Sequence, residues 1–116
     1  MPHAIIEHSS NLHAGEGASS LCEVVHQTMI ASGLFNANDV KTRIQSASDF
    51  RVGVKGAFGN FVHVSVYLLE GRTQEQKQAL THAIFDALST QYHQPIEQLS
   101  VDIRDMMRDT YRKTAS

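Results

Sequence analysis

The residues FVHVSVYLL (61–69) restrict this chain more than any other stretch. Val62, Val64, Val66 and Leu68 alternate with His63, Ser65 and Tyr67, and successive strand side chains point to opposite faces. The valine face therefore demands a core. A partner for it follows at once in EGRTQEQKQALTHAIFDALSTQYHQP. Thr73 and Gln76 have the spacing of a capping box, in which each side chain satisfies a backbone N–H left free at a helix start. Leu80, Ile84 and Leu88, with Ala83 and Ala87, then recur at the helical period. Pro95 closes the helical region, and LSVDIR (99–104) is a further strand.

The first half of the chain repeats this order. HAIIEH (3–8) is a short strand, and NLHAGEGASS is a loop broken by Gly15 and Gly17. Ser20 and Glu23 make another capping-box pair ahead of LCEVVHQTMIAS, a helix with Leu21, Val25, Thr28 and Met29 along one face. Gly33 supplies its stop. DVKTRIQS (39–46) is the second strand, and the glycines of VGVKGAFGNF predict a hairpin with an irregular tip. Aligning the halves sets Pro2 on Val62, His3 on His63 and Val40 on Leu99, a weak repeat spanning about 2–46 and 61–104.

These elements predict one α+β domain over residues 1–116. Two tandem βαβ units, each with a right-handed crossover, form a four-stranded mixed sheet with both helices on one face. The other face keeps Ile5, Tyr67 and Leu69, which predicts that subunit association covers it. The tail DMMRDTYRKTAS is a short helix or a frayed arm with no assigned chemistry.

Composition removes several classes of function. Ten Lys and Arg against twelve Asp and Glu leave a formal charge of −2, with no footprint for nucleic acid or an anionic membrane. No apolar run approaches the roughly 20 residues needed to span a bilayer, and no leader pattern opens the chain; a cytoplasmic protein is expected. Cys22 is the only cysteine, so an intrachain disulfide is impossible, and its place in a helix makes it a small apolar filler. Of the seven histidines, His3 and His63 lack Cys, Asp or Glu at ligand spacing, and His82 and His93 sit in nothing like HExxH. Neither a metal nor a cofactor is expected.

Pro2 carries the chemical interest. It is small enough for Met1 to be trimmed, which would free a secondary amine of reference pKa about 8. Modest burial makes such an amine a usable base at neutral pH. Many chains carry a small second residue, so position 2 decides nothing alone.

The segment LLEGRTQEQKQALTHAIFDALSTQYHQPIEQLSVDI resembles the 4-oxalocrotonate tautomerase family, whose short chains are one βαβ unit. With MPH at the start and FVHVSVYLLEGRT in the middle, the whole chain is similar to the 5-carboxymethyl-2-hydroxymuconate isomerase family within that superfamily. The likeness is poor in the 9–20 loop and the 47–60 connection. It implies that Pro2, freed of Met1, is general base and acid, and that Arg72 binds a substrate carboxylate. The family's second arginine corresponds here to Lys41, a departure that keeps the charge and loses the planar fork. Arg43, on the same side of the strand, is the alternative or the helper. His3 or His63 near Pro2 are candidates for tuning the site, not for catalysis.

The resemblance further implies a cofactor-independent isomerase, assembled as a homotrimer, acting on a carboxylated dienol such as 5-carboxymethyl-2-hydroxymuconate. A promiscuous tautomerase or dehalogenase of the same superfamily is the second alternative. A non-catalytic oligomeric binding domain of the same fold is the third.

Overall fold

The computed structural model describes residues 1–114. In chain order the elements are β1 (His3–Ser9), α1 (Leu21–Ala31), β2 (Lys41–Ala47), β3 (Phe61–Leu69), α2 (Gln74–Gln91) and β4 (Gln98–Met106). The sheet order is β2-β1-β3-β4. Its outer pairs are parallel and its central pair, β1 with β3, is antiparallel. This is the expected mixed four-stranded sheet. His3 pairs with Lys41 and His63 with Ser100, so both parallel pairs share one relative register.

Alternation in β3 has the consequence read from its sequence. Val62, Val64, Val66 and Leu68 are fully buried, as are Ala4 and Ile6 of β1 beside them. Leu21, Val24, Val25 and Met29 of α1 and Leu80, Ile84, Ala87 and Leu88 of α2 close over that same face, in one continuous core. Burying a Leu, Ile or Val side chain stabilises the fold by about 1.5–3 kcal/mol. Thr28 does not lie on the buried stripe of α1. Val24 does, and the Thr28 hydroxyl donates to the Val24 carbonyl at 2.8 Å. Ala83 likewise falls outside the stripe of α2 and is exposed.

The two helix starts differ. Thr73 and Gln76 form the reciprocal capping box, with bonds of 2.9 and 3.1 Å. At α1 the Ser20 hydroxyl accepts from the Glu23 N–H at 3.1 Å, but the Glu23 carboxylate takes the Gln27 side-chain amide instead. That bond is the i,i+4 side-chain pairing of a helix surface, one turn further in.

Two stretches depart from expectation. Residues 52–61 form no hairpin: a 3₁₀ turn at Gly53–Lys55 and a single antiparallel bridge, Val52 with Gly56, replace it. Gly53 and Gly56 adopt positive φ, which curls the chain before a ladder can begin. Asp39 is not in β2, because a 3₁₀ turn at Ala37–Asp39 precedes the strand. As far as residue 114 the tail takes the short-helix alternative, after Asp105 and Met106 extend β4; residues 115–116 lie outside the described residues. It makes a 3₁₀ turn at Arg108–Thr110, with the Arg108 N–H donating to the Glu70 carboxylate at 2.9 Å. Among the described residues no helix is long and apolar enough to cross a membrane.

Replacing Ile84 with Ala should lower stability by about 2–5 kcal/mol, because it opens a cavity under both helices. Phe85→Ala, at its exposed neighbour, should stay within about 0.5 kcal/mol. Urea unfolding midpoints of the two variants check this pair.

Candidate active site

The chain terminus is held at the end of the middle of the sheet. β1 has a neighbour on each side, and the Lys41 N–H donates to the Pro2 carbonyl at 3.2 Å. Pro2 is buried. Its nitrogen is acylated by Met1 in this structure, so the basic group at this spot is the Met1 amine, one residue out.

Four charged side chains act on that amine. Partial burial pushes it below its ordinary value; Asp39 pulls it up, and Arg72, Lys41 and Lys113 push it down. Burial disfavours the charged form, and neighbouring cations repel the ammonium in the same sense. The net result is an amine biased toward neutrality in a cationic setting.

Each of these groups is fixed by local structure. Arg72 leaves the β3–α2 turn, where Gly71 has φ +120°. Its guanidinium donates to the Leu34 carbonyl at 2.7 Å and lies over the Phe35 ring, 5.3 Å from the centroid. The α1–β2 loop thus orients the cation, and an Arg stacked in this way is not replaced by Lys. Lys41 opens β2, and its ammonium donates to the Asp39 carbonyl at 2.9 Å. Lys113 approaches the Asp39 carboxylate at 3.7 Å.

Arg43 sits elsewhere in the network. It shares the face of Lys41, but its guanidinium donates to His3 Nδ1 at 3.2 Å. That bond leaves the His3 Nε2–H to meet the Tyr111 hydroxyl at 2.9 Å. Burial lowers the His3 pKa, with Arg43, Lys41 and the terminal amine adding to the effect. His3 is therefore a neutral connector between β2 and the tail.

Pro2, Arg72 and Lys41 come together at one end of the sheet, and Arg43 joins them through His3. Sequence reasoning missed Asp39, Tyr111 and Lys113. Asp39 had a signal in its position two residues before Lys41. The tail residues had none, since they follow no period.

His63, and His26, which the sequence did not single out, have other partners. His63 Nδ1 lies 2.6 Å from the Ser100 hydroxyl, and His26 Nδ1 lies 2.8 Å from that of Thr42. Among the described residues no three His, Cys, Asp or Glu side chains gather as a metal site. Burial raises the Cys22 thiol, with Glu23 adding to it, which keeps it in the unreactive form. A groove of about 500 Å³ between α1 and α2, lined by Thr28, Ala31, Ala83 and Asp86 among others, gathers no cations and lies away from the terminus.

Two βαβ units in a four-stranded sheet, with a sequestered N-terminus beside fixed cations, define a tautomerase-type isomerase. The 5-carboxymethyl-2-hydroxymuconate isomerase family model matches residues 2–116, and the chain belongs to that family. Probable tautomerases of Bacillus cereus and Bacillus anthracis are each 41% identical over 49 residues, which are 42% of this chain and 80% of theirs. A 5-carboxymethyl-2-hydroxymuconate isomerase from Deinococcus radiodurans R1 superposes with a TM-score of 0.76 at 17% identity, covering 99% of this chain and 90% of that one. A fused 4-OT wild type symmetric trimer gives a TM-score of 0.65 at 20% identity, covering 92% and 87%. At these identities the structural likeness is one of fold.

The terminal amine should titrate below its ordinary value. Arg72→Ala should raise its pKa by removing a cation, and Asp39→Asn should lower it by removing the anion. The pH dependence of acylation of the terminal amine reads both signs; shifts in the same direction for the two variants would contradict this electrostatic picture.

Proposed function

We propose that this isomerase uses Pro2, exposed by removal of Met1, to move a proton along a carboxylated dienol of the 5-carboxymethyl-2-hydroxymuconate type. The observation that carries the proposal is the meeting of the terminal amine with Arg72 and Lys41 in a partly desolvated place. A base must be free to accept at working pH and acidic enough to donate afterwards, which favours an amine with a pKa near neutrality. The neutral Pro2 nitrogen takes the proton of the substrate's enol hydroxyl. Negative charge then spreads over the conjugated chain as a dienolate, and the ammonium returns the proton to a carbon. No net proton is gained or lost.

Arg72 and Lys41 serve both steps. They hold substrate carboxylates through charge-assisted hydrogen bonds, which contribute about 1.5–3 kcal/mol each. They also stabilise the dienolate as it forms, and they keep the proline unprotonated between turnovers. Arg43 acts at one remove, by holding His3 neutral.

We also propose that the chain works as a trimer. Ile5, Phe61, Tyr67 and Leu69 stand half-buried on the sheet face opposite the helices. The fused 4-OT of the same fold is a symmetric trimer. Association through this face would remove those side chains from water.

Pro2→Ala in the trimmed protein should slow ketonisation of 2-hydroxymuconate-type dienols by about 10²–10⁴-fold, the usual contribution of a positioned acid–base group. Turnover at the unaltered rate would eliminate the mechanism. Arg72→Ala should cost more on dicarboxylates than on monocarboxylates, in kcat/KM measured on both; equal losses would remove Arg72 as a carboxylate clamp.

A further inference from the structure

The chain after β4 makes more contacts at the site than a passive tail would. Its first tether is Arg108, whose guanidinium donates to the Glu70 carbonyl at 3.1 Å while its N–H holds the Glu70 carboxylate. That joins it to the turn bearing Arg72. The second is Tyr111, which meets His3 by a hydrogen bond and by an edge-on ring contact, with centroids 6.0 Å apart. That joins it to the residue after Pro2. The third is Lys113, against Asp39 in the turn that leads into Lys41. Each tether therefore reaches a different element of the same corner.

We propose that residues 107–113 form a wall of the substrate site, with Lys113 the cation that selects dienols carrying an additional carboxylate and Tyr111 the residue that positions it. This rests on the function proposed above.

The chemistry of the two side chains fits the assignment. An ammonium has three donors, and the loose 3.7 Å contact with Asp39, its one ion pair among the described residues, leaves Lys113 capacity for a second carboxylate. Asp39 sets one negative charge against the three cations Arg72, Lys41 and Lys113 that act on the terminal amine, so it does not neutralise the corner. A monocarboxylate can be held by one cation and a dicarboxylate by two. A third carboxylate finds its partner in the third cation. The Tyr111 oxygen accepts the His3 Nε2–H, which fixes the ring and with it the segment leading to Lys113.

Steady-state kinetics of trimmed Lys113→Gln and Lys113→Arg on dienols with one, two and three carboxylates test the assignment. Lys113→Gln should raise KM for the tricarboxylate by about ten- to a hundredfold, the range for a lost charge-assisted hydrogen bond. Its effect on kcat should be small, and the KM penalty should be largest on the tricarboxylate and smaller on substrates with fewer carboxylates. Lys113→Arg should recover most of the loss. Tyr111→Phe should reproduce the same substrate ranking at smaller size, since it loosens the wall without removing the charge. A Lys113→Gln penalty equal on all three substrates, or none on any, would overturn the assignment while leaving the proline mechanism standing. A wild-type enzyme that turned over none of the dienols would sink both.

Discussion

The chemistry proposed for this protein depends on where its first strand lies. β1 is flanked by β2 and β3, so the residue just before it is caught between neighbours on either side rather than left at an edge. The bond from the Lys41 N–H to the Pro2 carbonyl carries the parallel ladder one step past the strand, and so fixes the proline. A chain end is ordinarily the least ordered part of a domain. Here the fully buried Ala4 and Ile6 anchor it from one side and the pairing with β2 and β3 from both edges.

That placement creates an electrostatic problem. A terminal amine is normally a solvated cation, and the proposed base must not be one. The corner answers with partial burial and with three cations, which together outweigh Asp39. Asp39 has its own use, since its backbone carbonyl and its carboxylate hold the two lysines. An anion here moderates repulsion among cations that would otherwise separate. The compromise is that the same carboxylate raises the pKa that the rest of the corner lowers. Substrate carboxylates would shift the balance in the same direction as Asp39, so the amine would become a better proton acceptor as the substrate arrives.

Much of this architecture was legible in the residues. Alternation in 61–69 announced the sheet, and the Thr73 capping box with Leu80, Ile84 and Leu88 announced the helix beneath it. Those signals are local, so they survive without tertiary information. Position 2 could be noticed but not weighed, because burial is a property of the fold. Arg72 was legible only through family likeness; its contacts with Leu34 and Phe35 span the chain and leave no periodic trace. The hairpin expected at 52–61 failed because glycines permit both a ladder and a curl, and nothing local chooses between them. The tail gave no signal at all. Tyr111 meets His3 across 108 positions, and no spacing rule reaches that far.

The central claim concerns a single nitrogen, and one comparison tests it most directly. The same chain can be prepared with Met1 retained and with Met1 removed, each confirmed by intact mass, and assayed on one dienol. With Met1 in place the Pro2 nitrogen is an amide and cannot accept a proton. The account predicts that trimming raises turnover by about a hundredfold or more, within the range of a positioned acid–base group. Equal turnover by the two forms would contradict it.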